Sequence, residues 1–324
     1  MRNETPTTFY IFPGDNPLFH ILFEDVRRCS HVVICKDLFS SNILLRLWYR
    51  IRRSRIVSLI GNLFKWCFVW NLVGIKSAHK DDILVFSNIS VSNYPVSMLK
   101  RLKRKNIRIV LFFLDSISNN IWAKEAYNYT KYIDFDLVYS FDKGDAERNG
   151  FIHFFTPYSR LCTRKADNLI YDAFFVGGDM GRYQILSDIK MKFPNINIFV
   201  NMINITNEQR EKAHFQRNTP MSYESIIDTI QASNCILDIV AYKDQKGLSL
   251  RPYEAVVYNK KLLTNNRSIL DFPFYNPNFM AYFEDISDID EDFLNDRVDV
   301  DYGYADEFSP VNFLKDIDRR LKQK

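Results

Sequence analysis

No uninterrupted apolar run in this sequence reaches the roughly 18–20 residues that a membrane span needs, so no transmembrane helix is expected. The charged start is not followed by an apolar run and a small-residue cleavage site, so no signal peptide is expected either. The five cysteines, Cys29, Cys35, Cys67, Cys162 and Cys235, are odd in number and form no CxxC pair. That argues against a disulfide framework or a zinc site and points to buried thiols in a reducing cytosol. Internal repeats and low-complexity tracts are absent. The dinucleotide fingerprint GxGxxG is missing, and its nearest approach is Gly177-Gly178-Asp179-Met180-Gly181-Arg182. No suitably placed acid closes the strand after that turn, which argues against NAD.

What is present is material for two cores. A chain of 324 residues exceeds one typical domain. Its 47% hydrophobic and 25% charged content is ordinary for a globular protein, and aromatics are high at 15%. The net charge of +4 hides a split. Residues 1–165 hold 25 Lys/Arg against 14 Asp/Glu, and residues 166–324 hold 18 against 25. A basic half joined to an acidic half suggests that the first half meets something anionic.

The rhythm is strand, loop, helix, strand, which opens a parallel α/β sheet. Thr8–Phe12 reads as a strand, ended by the turn Pro13-Gly14-Asp15-Asn16-Pro17. Leu18–Arg28 reads as a helix and His31–Cys35 as the next strand. Asp82–Ser87 is a strand, Ser92–Lys105 a helix, and Ile107–Leu114 a strongly apolar, central strand. The cations at 100–105 complement the dipole at that helix's end. Phe135–Phe141 and Ile152–Phe155 complete the first set. Loops at the carboxyl ends of parallel strands face the ligand crevice. Asp15, His20, Asp115 and Ser116 therefore fall near a site. Asp15 and Asp115 are candidate general bases; Asp15 as a helix cap and His20 as a partly buried side chain are the plain alternatives.

Residues 38–80 hold eight cations and no acid, interleaved with Trp, Phe and Leu. Arg46, Trp48, Arg50, Arg52 and Arg53 form its densest part. Such a mixture suits an anionic lipid surface. It also suits nucleic acid, but no nucleic-acid signature accompanies it, so nucleic acid is not expected as a partner. A core helix with a solvated basic face remains the structural alternative.

Residues 159–169 read as the linker, after which the βα rhythm restarts. Tyr171–Val176 is a strand, the GGxxGR stretch a turn, Tyr183–Lys192 a helix and Ile196–Met202 a strand. Glu208–His214 and Ser222–Ala232 are helices, and Asn234–Val240 is a strand with Asp238 near its end. Then comes the stretch around which the second half is organised, Gln245–Asn265. Gly247 relaxes the backbone, Ser249 can cap a helix, and Pro252 is tolerated only in a first turn. A short helix to Tyr258 and a strand Lys261–Thr264 follow. A loop thus opens onto a helix N-terminus beside Arg251 and Glu254. Free N–H groups, the dipole and a guanidinium make a phosphate site, and a carboxylate can accept two hydroxyls of a ribose. A solvated Arg251 and a dipole-complementing Glu254 are the alternative. The eleven acids between Glu284 and Glu307 read as a solvated surface, and Ser309–Leu321 as a final helix.

With FFVGGDMGR at 174–182, SYESIIDTIQASNCILDI at 222–239, GLSLRPYEAVVYNKKLLTNN at 247–266 and FDKGDA at 141–146 in view, the chain resembles GT-B glycosyltransferases of bacterial capsule and lipopolysaccharide (O-antigen) assembly. The resemblance implies two Rossmann-like α/β domains facing a cleft. Residues 1–165 would receive a glycan or lipid-linked acceptor at the inner face of the cell membrane. Residues 166–324 would bind a nucleotide diphosphate sugar, with the last helix free to pack back on the first domain. It implies that Glu254 holds ribose hydroxyls, that Arg182 and Arg251 hold the diphosphate, and that Gly247, Leu248 and Ser249 form the backbone cradle; Gly178, in the glycine-rich turn, allows the donor a close backbone approach. Two departures stand out. The better-known pattern has two glutamates seven residues apart, and position 247 is Gly, so the first is missing. The usual Gly before the last strand is Asn259. No cofactor is expected beyond the donor substrate. No metal is expected either, because Asp134-Phe135-Asp136 precedes a strand and the other DxD matches lie in the acidic tail. A non-catalytic nucleotide- or membrane-binding protein of the same fold is the competing expectation.

Overall fold

The computed structural model describes residues 7–14, 17–35, 78, 81–118, 120–161, 168–240 and 247–324. The chain divides into two compact units, Met1–Ser159 with Phe308–Lys324, and Arg160–Glu307.

The first unit runs β1 (Phe9–Phe12), α1 (Pro17–Leu22), β2 (Val32–Ile34), β3 (Ile83–Ser87), α2 (Val96–Arg104), β4 (Arg108–Phe113), α3 (Ile121–Thr130), β5 (Leu137–Ser140), α4 (Lys143–Asn149) and β6 (Ile152–His153). The strands form one sheet in the order β2-β1-β3-β4-β5-β6, every pair parallel. All of β1 and β3, and β4 beyond its first residue, are buried. Burial of both faces is why these strands read as continuous apolar runs instead of alternating ones. On one face Phe12 stacks on Phe86 with centroids 4.6 Å apart, and Tyr94, Met98, Leu99 and Leu102 pack over them. On the other, Phe313 of the last helix (Pro310–Lys322) meets Phe112 at 4.8 Å and Tyr139 at 5.2 Å. Asp316 of that helix accepts a 2.9 Å bond from the Tyr139 hydroxyl.

Two expected helices are shorter than read. The one starting near Leu18 ends at Leu22, because Phe23 leaves helical geometry and buries its ring; a 3-10 turn, Glu24–Val26, follows. The expected Ser92–Lys105 helix is split. Val91–Asn93 is a 3-10 turn, and Pro95, extended at ψ 140°, is the N-cap of α2. A proline ring restricts its predecessor to extended backbone, so the helix starts after it.

The second unit runs β7 (Tyr171–Gly178), α5 (Tyr183–Lys192), β8 (Ile198–Ile203), α6 (Asn207–Lys212), α7 (Tyr223–Gln231), β9 (Ser233–Asp238), α8 (Leu250–Tyr258), β10 (Lys261–Thr264), β11 (Met280–Tyr282) and α9 (Glu291–Asn295). Its parallel sheet has the order β11-β10-β9-β7-β8. Gly177 and Gly178 belong to β7, paired with Met202 and Ile203, and the turn is confined to Asp179–Arg182. Met180 (φ +42°) and Gly181 (φ +91°) make that turn, and glycine is the residue for which such a φ costs least. Asn259 ends α8 at φ +50°, so an Asn serves where the related pattern has Gly; after glycine it enters this region most readily.

The acidic segment is not merely solvated. Asp285 and Asp288 form a capping box, and Asp290 accepts from Asp292 N to cap α9. The far end of α9 is held by buried Lys261, which donates to the Phe293 and Asp296 carbonyls. Among the described residues no helix is long and apolar enough to cross a membrane.

Candidate functional site

In each sheet the chain reverses its direction of winding beside the first strand, so the crevice lies at the carboxyl ends of β1/β3 and of β7/β9. The second unit has the more charged of these two edges.

Arg182, just after the β7 turn, lies across its own edge. Its Nε donates to the Ile239 carbonyl at 2.5 Å and its Nη1 to the Gly178 carbonyl at 3.0 Å, so one guanidinium joins the ends of β7 and β9. Asp179 Oδ1 accepts from the backbone N–H of Tyr183, the first residue of α5, at 2.9 Å. Ser249 is the N-cap of α8, as its residue type predicts, accepting from Arg251 N at 3.1 Å. The same hydroxyl donates to Asp238 Oδ1 at 2.7 Å, and Thr264 donates to Asp238 Oδ2 at 2.9 Å. Gly247 is buried, its carbonyl accepting from Asn266 at 3.2 Å, and Leu248 is half-buried beside it. The loop that delivers the α8 N-terminus is therefore tied to the ends of β9 and β10.

Arg251 and Glu254 are paired. The Arg251 guanidinium donates to Glu254 Oε2, to the Val176 carbonyl at 3.3 Å, and covers the Phe174 ring at 5.9 Å. Glu254 Oε1 accepts from the Tyr223 hydroxyl at 2.8 Å. Glu254 is fully buried and Arg251 is 17% exposed. Burial pushes the Glu254 carboxyl above the usual range, while Arg251 and the Tyr223 hydroxyl pull it back and the Asp238 charge adds to the rise. Asp238 is raised for the same leading reason, against the pull of Ser249, Thr264, Arg251 and Arg182. Two arginines, two buried carboxylates and a capped helix N-terminus thus meet at one strand edge. Tyr223 and Asp238 complete a set in which the sequence singled out Gly178, Arg182, Gly247, Leu248, Ser249, Arg251 and Glu254. Asp238 was legible as a strand-end acid. Tyr223 carried no signal, since its partner lies on another element.

No family model matches the chain, and no curated protein matches it. Solved structures do. A UDP-forming α,α-trehalose-phosphate synthase from Burkholderia xenovorans aligns over 98% of this chain and 99% of its own, with TM-score 0.56 and 10% identity. TarM of Staphylococcus aureus, solved with fondaparinux, α-GlcNAc-glycerol and UDP, aligns over 78% of this chain with TM-score 0.51 and 11% identity. This chain spans 58% of TarM's length. The N-terminal domain of Candida albicans trehalose-6-phosphate phosphatase aligns over 99% of this chain and 94% of its own, with TM-score 0.50 and 10% identity. The fold is that of the GT-B enzymes. In GT-B terms the edge just described belongs to the second Rossmann-like unit.

The first unit's edge is built from neutral groups. The Ser90 hydroxyl donates to the Phe12 carbonyl at 2.6 Å and the Ser87 hydroxyl to the Pro13 carbonyl at 2.9 Å, joining the ends of β1 and β3. Gly14 (φ +94°) follows, and a Cβ there would stand 3.1 Å from Ile89. Asp115 lies at the end of β4, half-buried. Asn88 donates to its Oδ2 at 2.9 Å and accepts from Leu114 N at 2.8 Å, which fixes the carboxylate's orientation. Burial raises the Asp115 carboxyl, and the Asn88 bond partly offsets the rise. Asp136 of the formal DxD accepts from Ile109 N and pairs with Lys103 and Arg108, so it clamps β4 to β5. Asp15 and the basic group Arg46, Trp48, Arg50, Arg52 and Arg53 lie outside the described residues, as do Cys67 and Cys162. Cys35 and Cys235 are buried, and Cys29 is half-buried.

Proposed function

We propose that this chain is a glycosyltransferase that moves a sugar from a nucleotide diphosphate sugar to a hydroxyl of a glycan or lipid-linked acceptor. The observation that carries the reading is the convergence of Arg182, Arg251 and the capped N-terminus of α8 on the switch point of the second unit. Preorganised donors aimed at developing negative charge are worth most where water is excluded. The acceptor oxygen forms a bond to the anomeric carbon as the bond from that carbon to the diphosphate oxygen breaks. The leaving nucleoside diphosphate takes the electron pair. Its charge is met by the two guanidinium groups and the helix dipole, and the reading assigns no step to a metal. In an inverting reaction Asp115 takes the acceptor's proton; its raised pKa brings a base toward the working pH. In a retaining reaction the leaving phosphate takes it. The resemblance in the second half favours capsule or lipopolysaccharide O-antigen assembly at the inner membrane face, with the basic stretch 38–80 on the lipid.

One observation favours a non-catalytic binder instead. Glu254 is fully buried and both its oxygens are engaged, one by Arg251 and one by Tyr223, so a ribose diol reaches it only when one of these covering side chains moves. Release of nucleoside diphosphate from a panel of nucleotide sugars, with and without membrane extract as acceptor source, tests the reading. Acceptor-dependent release from one donor is expected. Binding of a nucleotide with no release under any condition would favour the binder.

A further inference from the structure

A further concentration of positive charge lies on the outer face of α2, remote in sequence from the proposed donor site. The helix buries Met98, Leu99 and Leu102 against the sheet. Ser97, Lys100, Arg101, Arg104 and, one residue past its end, Lys105 are exposed. Their spacings of three and four place them on one face. Lys103 and Arg108 are satisfied by Asp136. Lys100, Arg104 and Lys105 form no ion pair among the described residues, and no acid occurs anywhere from residue 83 to 114. Complementing a helix dipole needs a cation or two in the last turn. Here four crowd the helix end, and Arg101, Arg104 and Lys105 line a surface hollow of about 590 Å³ with Ser97.

We propose that this face of α2 is a docking surface for the anionic headgroups of a phospholipid membrane. The chemistry matches: guanidinium and ammonium groups around a hollow that takes a phosphate, with a hydroxyl at its rim. The geometry favours headgroups over a polynucleotide. The four cations, Lys100 to Lys105, span about 7.5 Å of helix, and three of them line one hollow instead of tracking a strand. The face also offers no aromatic side chain on which a base would stack. Each cation near an anionic surface contributes about 1 kcal/mol, so the patch gives reversible attachment and works with a second contact. It is a different set of residues from the basic stretch 38–80, and it does not depend on the transferase reading.

The test is co-sedimentation of the full chain with mixed phosphatidylglycerol–phosphatidylcholine vesicles and with pure phosphatidylcholine vesicles. The wild type should prefer the mixed vesicles, with a preference that weakens as salt rises. The combined variant Lys100→Ala, Arg104→Ala, Lys105→Ala should partition roughly 100-fold less. A charge-matched control, Lys124→Ala, Lys131→Ala, Lys143→Ala, should bind like wild type. All substituted side chains are exposed, so equal melting temperatures are expected, and equal nucleotide-induced shifts would separate this surface from the donor site. Three results would overturn the proposal: no wild-type preference for anionic vesicles, equal losses in the two variants, or an α2 variant that binds the mixed vesicles like the wild type.

Discussion

The two carboxyl edges of this molecule share a topology and differ in chemistry. In the first unit, β1 and β3 are joined by serine hydroxyls, and the one candidate carboxylate there among the described residues, Asp115, is half-buried and steered by Asn88. In the second, β7 and β9 are joined by an arginine, and two fully buried carboxylates sit behind it. A winding reversal supplies a crevice in both, but the residues placed there decide what enters. Hydroxyls and a single raised carboxyl suit a neutral polyol whose proton is to be removed. Paired guanidinium groups at a helix N-terminus suit a phosphate. The fold provides two equivalent places, and the side chains give them different chemistry.

The largest effect expected from this division is on turnover. If the reaction inverts, Asp115→Asn should lower kcat by about 100- to 10,000-fold, the usual worth of a general base, with donor affinity unchanged. Steady-state kinetics that show a raised KM and an unaltered kcat would blur the comparison.

Next comes the buried pair. Glu254→Ala leaves Arg251 without its carboxylate and should cost about 3 kcal/mol of stability in denaturant unfolding. It should also remove nucleotide binding. Tyr223→Phe is a milder probe of the same group, expected to cost about 1 kcal/mol while keeping the fold. Because it removes a donor to Glu254, the nucleotide-binding pH profile should move to higher pH; an unshifted profile would mean that Tyr223 only fills space.

Acid and base should act with opposite signs on the buried pair Asp238 and Glu254 and on Asp316 of the last helix. Asp238 and Glu254 have folded pKa values raised by burial, so the folded chain holds more protons above the ordinary carboxylate range. Their contribution falls as pH rises from that range through the raised values. For Asp316, burial pushes the carboxyl up, but hydrogen bonds from Arg320, Arg319 and Tyr139 outweigh it and hold it low. Its contribution is present above the ordinary range and is lost as pH falls through the depressed value. Melting temperatures against pH should lose part of their alkaline decline in Glu254→Gln and part of their acid decline in Asp316→Asn. Matching profiles for the two variants would remove the contrast.

The smallest effect is a control away from both edges. Asn259→Ala should cost about 1 kcal/mol, the penalty of a left-handed residue, and leave nucleotide binding alone.

Much of the scaffold was legible because it is local. Tyr183–Lys192 and Lys261–Thr264 have the bounds their apolar spacing predicts, and Ser249 caps the helix its hydroxyl foretells. The cations after Ser97 were legible as a run but not as a face, since only the Asp136 clamp shows which ones are already used. Gly177 and Gly178 read as turn, yet the neighbouring β8 extends far enough to pair with them. The site's contacts were the least legible part. Tyr223 and Glu254 are 31 residues apart on different helices, and Asn88 and Asp115 are 27 apart on different strand ends. No period or spacing joins such residues; only the sheet order does.

The most direct measurement is a thermal-shift panel of nucleoside diphosphates and their sugars on the wild type and on Arg251→Ala. A ligand at about 100 times its dissociation constant adds roughly 2.7 kcal/mol of stability, a readily seen shift. One nucleotide class that stabilises the wild type and not Arg251→Ala is the predicted result. A wild type that no nucleotide stabilises, with or without vesicles present, would contradict the assignment of the second unit's edge to a nucleotide diphosphate.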